Sequence, residues 1–203
     1  MTPEFLLTAF IVCLAPGVGV IYTLSTTLGR GMTSGLWAVA GCTLATAVHL
    51  GLALAGLAAV LRTSALLFSV IKFAGVAYLL WMAWGTLQGR GTLAITPDDR
   101  ARSPFTLVKN GVLLNLLNPK LPMFFVAFLP QFIPTGADNA DALLVELGLG
   151  FVAMTAAVFL IYALAAGWLR SRVLESERAM TWLRRAFAAS FAGLGLKLAF
   201  EKA

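Results

Sequence analysis

The stretch "NLLNPKLPMFF", Asn115 to Phe125, sets two asparagines, two prolines and a lysine inside an otherwise apolar run. In a soluble helix these residues would mark a surface loop. Here the surroundings exclude that reading. The chain is 60% hydrophobic and 12% charged, against about 25% charged for a soluble domain. No charge lies between Glu4 and Arg30, between Arg30 and Arg62, or between Glu146 and Arg170. Each of these runs exceeds the roughly 20 residues that cross a bilayer as a helix. The fold class is therefore all-α, in a polytopic membrane protein, and the polar stretch must face protein or a cavity rather than lipid.

Outward from this stretch the hydropathy divides into six spans: Phe5–Leu28, Leu36–Leu61, Ser64–Leu87, Lys109–Ile133, Leu143–Leu169 and Leu183–Phe200. Gly31, Gly35, Gly89, Gly91, Pro104, Pro134 and Gly136 punctuate the joins. The N-terminus has no basic region and no cleavage site, so the first span is expected to be retained. Ten basic residues lie on one side of the membrane: Arg30, Arg90, Arg100, Arg102, Lys109, Arg170, Arg172, Arg178, Arg184 and Arg185. Arg62 and Lys202 lie on the other. The positive-inside rule then makes loops one, three and five cytoplasmic and both termini periplasmic. This distribution accounts for the net charge of +6 as membrane topology, so no nucleic-acid partner is expected.

The whole chain, 1–203, reads as a single transmembrane domain. Repeat one covers 1–88, a cytoplasmic loop 88–106, and repeat two 107–203. Three spans per half is odd, so the halves enter the membrane in opposite directions, as in the inverted repeats of secondary transporters. "KFAGVAYLL" (Lys72–Leu80) and "SFAGLGLKL" (Ser190–Leu198) share Phe-Ala-Gly in register. The first and fourth spans each carry an internal proline, Pro16 in "LAPGVGV" and Pro119 in "LNPKLP". Proline removes an amide donor and clashes with the carbonyl four residues earlier, so both helices should break there. Paired breaks in opposed halves point to a central site: opened helix ends offer amides to an anion and carbonyls to a cation. An amino acid presents both charges.

The candidate substrate-binding residues are Pro16, Gly17, Asn115, Asn118, Pro119 and Lys120. Lys120 is 11 residues past Lys109, about 16 Å deep at 1.5 Å per residue, where a charged lysine costs at least ~2.5–3.5 kcal/mol. Two roles are open to it: a cation that receives a carboxylate or moves a proton, or a brace satisfied by the carbonyls the prolines set free. Asn115 and Asn118 share a helix face and serve either as substrate contacts or as interhelical glue. His49, the single histidine, lies mid-span in "TAVHLGLAL". With Lys120 it is the candidate for proton coupling, because imidazole titrates near neutrality. A bond to a neighbouring helix is its alternative role. Lys72 is close enough to the outer end of its span to snorkel. Cys13 and Cys42 read as small packing residues. Gly35, Ala38, Gly41, Ala45, Ala189 and Gly193 read as sites of close helix approach. Trp37, Trp81, Trp84 and Trp168 read as interface anchors. No Walker loop, metal cluster or Ser/His/Asp pattern is present, so neither an enzyme nor a cofactor or metal is expected.

The chain resembles the LysE/RhtB family of bacterial amino-acid exporters over essentially its whole length. The matching residues are Pro16-Gly17, "FAGVAYLLWMAWG" (Phe73–Gly85), "FTLVKNGVLLNLLNPK" (Phe105–Lys120) and "FFVAFLPQF" (Phe124–Phe132). The resemblance implies a six-span inner-membrane protein that exports amino acids or close derivatives in exchange for protons. Family members often read Pro-Gly-Pro near the start; here the third position is Val18. The expected partners are a small-molecule amino acid, protons and the lipid bilayer, and a homodimer is compatible with a six-span chain of this size. Two other classes compete. A thiol-relay oxidoreductase would use Cys13 beside the first break, but needs a partner cysteine that the fourth span lacks. A non-transporting membrane assembly protein is the third reading.

Overall fold

The computed structural model describes residues 1–14, 17–55, 102–118, 120–125, 129–134 and 139–200, with scattered positions between 73 and 88. Among the described residues every regular element is helical. The helices are α1 (Pro3–Leu14), α2 (Val18–Arg30), α3 (Met32–Leu54), α4 (Pro104–Leu116), the single turn α5 (Lys120–Met123), α6 (Ala140–Leu174) and α7 (Glu177–Phe200). A 3₁₀ turn, Leu129–Phe132, lies between α5 and α6.

The stretch read as the first span is two helices. α1 and α2 meet at 56° across the break around Gly17. The halves differ in kind. α1 buries one stripe, Phe5, Ala9 and Cys13, and exposes Leu7, Ile11 and Leu14. α2 is buried from Val18 to Gly29 except at Leu24, so it forms the central pillar of the bundle. Two of its buried hydroxyls bond locally, Thr27 to Thr23 O at 2.7 Å and Ser25 to Tyr22 O at 3.1 Å, while Tyr22 donates across to Leu107 O of the helix that begins at Pro104, at 2.8 Å. Gly31 ends the helix at φ +86°, a conformation that glycine adopts without steric cost.

The stretch read as the fourth span is also interrupted. α4 ends at Leu116, and the chain resumes as α5 and the 3₁₀ turn. α4 starts at Pro104, five residues before the span read from the sequence. Proline fits the first helical turn because that amide has no intrahelical acceptor. α6 runs for 35 residues, about 52 Å at 1.5 Å per residue, well beyond a ~30 Å hydrocarbon core. α3 and α6 are each long and apolar enough to span a membrane, and the α1–α2 pair makes a third candidate among the described residues. The second span is observed to Leu54; its predicted end, and Arg62 and Lys72, lie outside the described residues. So does most of the third span and of the loop 88–106.

α3 packs against α4 most extensively, then against α6 and α2. Small residues set the α3–α4 distance. A Cβ on Gly111 would stand 3.1 Å from the Cys42 amide nitrogen and from the Cα of Gly41, and one on Gly41 would strike the backbone of Val108. Gly35, Ala38, Gly41 and Ala45 are all buried, in keeping with close approach. Gly193 departs from that expectation: it is exposed, and a Cβ there would meet nothing within 4 Å among the described residues. The outer surface carries Ile161, Leu164, Trp37 and Trp168, while Thr23, Thr46, Asn115, Asn118 and Thr155 are buried. Polar inside and apolar outside is the arrangement that lipid selects.

Candidate functional site

Breaking a helix in lipid orphans carbonyls, and the structure shows which groups receive them. The residue four beyond Asn115 is Pro119, which has no amide proton. The Asn115 carbonyl instead accepts from the Asn118 amide at 3.1 Å, and His49 Nε2 approaches it from α3 at 3.4 Å. A carbonyl can only accept, so the Nε2 nitrogen carries the proton in this contact. The Asn115 carboxamide completes the junction: its Nδ2 donates to the Cys42 carbonyl at 2.9 Å, and its Oδ1 accepts from Asn118 Nδ2 at 3.1 Å. Asn115 thus bonds helix to helix through its side chain, with 1% exposure.

The first break is met by α6. Leu14, at the end of α1, loses its helical donor when the chain turns toward α2. The Tyr162 hydroxyl takes that place, donating to Leu14 O at 2.8 Å. Seven residues earlier, Thr155 donates to Phe151 O at 2.9 Å and lies 3.5 Å from Cys13 Sγ. At the other end of α2, Arg170 donates to Leu28 O at 2.9 Å and to Gly29 O at 3.4 Å, a cation at a helix C-terminus. One continuous helix therefore braces the broken one along its length.

Both breaks open on one cavity. It is lined by Cys13, Gly17, Gly19, Val20, Asn115, Asn118, Leu121, Phe151, Thr155 and Phe159, and its free interior is about 10 Å³. That is room for about one water molecule, so the site is closed in this conformation. The close approach of α2 depends on Gly19, where a Cβ would stand 2.8 Å from Asn115 Oδ1 and 2.8 Å from the Phe159 ring. Phe151 stacks on Phe124 with centroids 3.8 Å apart and meets the edge of Phe125 at 5.4 Å.

Of the residues singled out in the sequence, Gly17, Asn115 and Asn118 come together on this cavity. Pro16 and Pro119 lie outside the described residues. Lys120 opens α5, and its side chain also lies outside them. His49 is buried beside Asn115 and does not line the cavity. Both cysteines are buried and neither forms a disulfide; Cys42 Sγ faces the carbonyls of Gly19 and Gly111, each at 3.8 Å. The sequence reading passed over Thr155 and Tyr162. A signal was available: between Leu147 and Leu169 they are the only two hydroxyl-bearing residues, and both serve the first break.

The LysE type translocator family matches residues 10–202 of the chain. A protein of Vibrio cholerae described as an uncharacterized membrane protein is 37% identical over 98% of this chain and 96% of its own length. The leucine efflux protein of an Enterobacter species is 30% identical over 86% of this chain and 83% of that protein. The homoserine/homoserine lactone efflux protein of Salmonella typhimurium is 30% identical over 96% and 94%, respectively. No solved structure matches. The broken, inwardly polar helices thus belong to a chain that resembles efflux proteins along nearly all its length, and the chain is a member of the LysE type translocator family.

Proposed function

We propose that this protein is a secondary transporter that exports amino acids or close derivatives across the bacterial inner membrane, by proton antiport and alternating access. The observation that carries the reading is the cavity on which both helix breaks open, with Gly17, Asn115 and Asn118 on its wall. The efflux relatives support the same substrate class. The N-terminus of α2 at Gly17 suits a carboxylate, because its first amides lack intrahelical acceptors. Lys120, one residue beyond Pro119, would add a cation there or carry a proton. His49 is the second candidate for proton coupling, one bond away from the Asn115 carbonyl.

Six spans in two inverted repeats, 1–88 and 107–203, would give the site two access routes around a fixed centre. Loops one, three and five would be cytoplasmic and both termini periplasmic. Driving force is sufficient without a nucleotide-binding domain. One charge moving through 100 mV releases ~2.3 kcal/mol, enough for a roughly fifty-fold outward gradient of a zwitterion per proton.

The test is efflux from cells lacking their own exporters, over branched, basic, hydroxylated and aromatic amino acids. The reading expects efflux of at least one class, collapse on dissipating the proton gradient, and loss in Lys120→Ala at normal membrane levels. Cys13→Ala/Cys42→Ala should retain efflux; loss of transport in that variant with intact insertion would favour thiol chemistry instead.

A further inference from the structure

The wall of the cavity that α6 supplies is a stripe with one-turn spacing: Phe151, Thr155 and Phe159. Residues four apart share a helix face, so the substrate side of α6 is aromatic, hydroxyl, aromatic. The two rings are held differently. Phe151 stacks on Phe124 at 3.8 Å and meets Phe125 edge-on at 5.4 Å, so moving it disrupts a cluster. Phe159 takes part in no ring pair among the described residues. Its ring lies instead against the backbone of Gly19, at a point where a single added methyl would stand 2.8 Å away. A space for about one water cannot admit an amino acid, so a wall must retreat. Phe159 is the wall with the least to lose.

We infer that Phe159, closing on Gly19, sets the size of the side chain this transporter accepts, and that the α6 stripe takes side chains that are uncharged. This rests on the export reading above. The second half follows from the lining: its described side chains are apolar, or are the carboxamides of Asn115 and Asn118, the Thr155 hydroxyl and the Cys13 thiol. None of these described side chains carries a charge that could pair with a basic or acidic substrate end, and the proposed cation, Lys120, would be taken by the substrate's α-carboxylate. An unpaired charge in such a site is strongly disfavoured. Thr155 offers a hydroxyl oxygen at mid-stripe to a substrate with a small polar group.

The experiment measures efflux of alanine, threonine, leucine, phenylalanine and lysine from exporter-deficient cells carrying the native chain, Phe159→Ala or Phe159→Leu, with membrane levels quantified by immunoblot. Removing a ring from an apolar pocket changes discrimination by about ten-fold or more. Phe159→Ala should therefore raise phenylalanine efflux relative to alanine by about that factor, and Phe159→Leu should shift the ratio in the same direction by less. Lysine should not be exported by the native chain. An unchanged phenylalanine-to-alanine ratio in both variants, or an equal fall for every substrate at normal membrane level, would overturn the size assignment. Preferential lysine efflux by the native chain would overturn the uncharged-side-chain assignment. Failure of the native chain to export any of the panel would instead overturn the transport reading itself.

Discussion

Asn115 concentrates more of the structure than any other single side chain described. Its carboxamide bonds to α3 and to Asn118 and leaves no room for a Cβ at Gly19, while its carbonyl is the one that Pro119 leaves without a helical donor. His49 approaches that carbonyl, so its two roles can be separated by substitution. His49→Gln retains an N–H donor of similar reach but cannot titrate. If His49 carries the coupled proton, this variant should remain folded and inserted while its efflux loses its dependence on external pH between 5.5 and 8, the range in which histidine ordinarily changes charge. A native pH profile in His49→Gln would leave His49 as an interhelical bond only. The presence of a polar junction was readable from the asparagine-proline-lysine motif. The partner of Asn115 was not, because the Cys42 carbonyl is a backbone group, and any residue could have supplied it.

Among the helices, the broken first span and the continuous α6 form the pair that explains most. A break is tolerated in lipid only when its loose carbonyls find donors; Tyr162 provides one at Leu14, and Arg170 does the same for Leu28 and Gly29 at the far end of α2. Tyr162→Phe removes one donor and no bulk. It should lower stability in detergent by about 0.5–1.5 kcal/mol, read as a reduced midpoint in thermal or denaturant unfolding; an unchanged midpoint would show that Leu14 O is satisfied without it. The α3–α4 contact depends on missing side chains. Gly41→Val would drive its branches into the Val108 backbone, and overpacking of this kind costs about 1–3 kcal/mol or more, so membrane levels and efflux should both fall. Gly193→Val should change neither, since that position is exposed and a Cβ there meets nothing within 4 Å among the described residues. Both glycines had seemed alike in the sequence. Periodicity shows that a glycine is on a helix, not which neighbour the helix turns it toward.

For the molecule as a whole, the proposed orientation makes a prediction that does not depend on transport. In a chain with both native cysteines replaced by alanine, a cysteine at Asp141, at the start of α6, should react with a membrane-impermeant thiol reagent added to intact cells. A cysteine at Glu175, at the far end of the same helix, should react only after the membrane is opened. The reverse pattern would invert the topology. Membrane class, the helical fold, the interruptions around Gly17 and after Leu116, and the family were legible in the sequence, because each depends on local chemistry: charge-free length, proline without an amide, and a contiguous motif. The cavity lined by Gly17, Asn115, Thr155 and Phe159 was decided only by the tertiary structure. In water, an apolar stripe marks the face a helix buries. In lipid both faces are apolar, and lipid tails are as apolar as leucine, so hydropathy along α6 does not distinguish Phe159, which faces the cavity, from Ile161, which faces lipid. That choice is made by packing against Gly19 and by hydrogen bonds across helices, which belong to the assembled bundle and not to any one span.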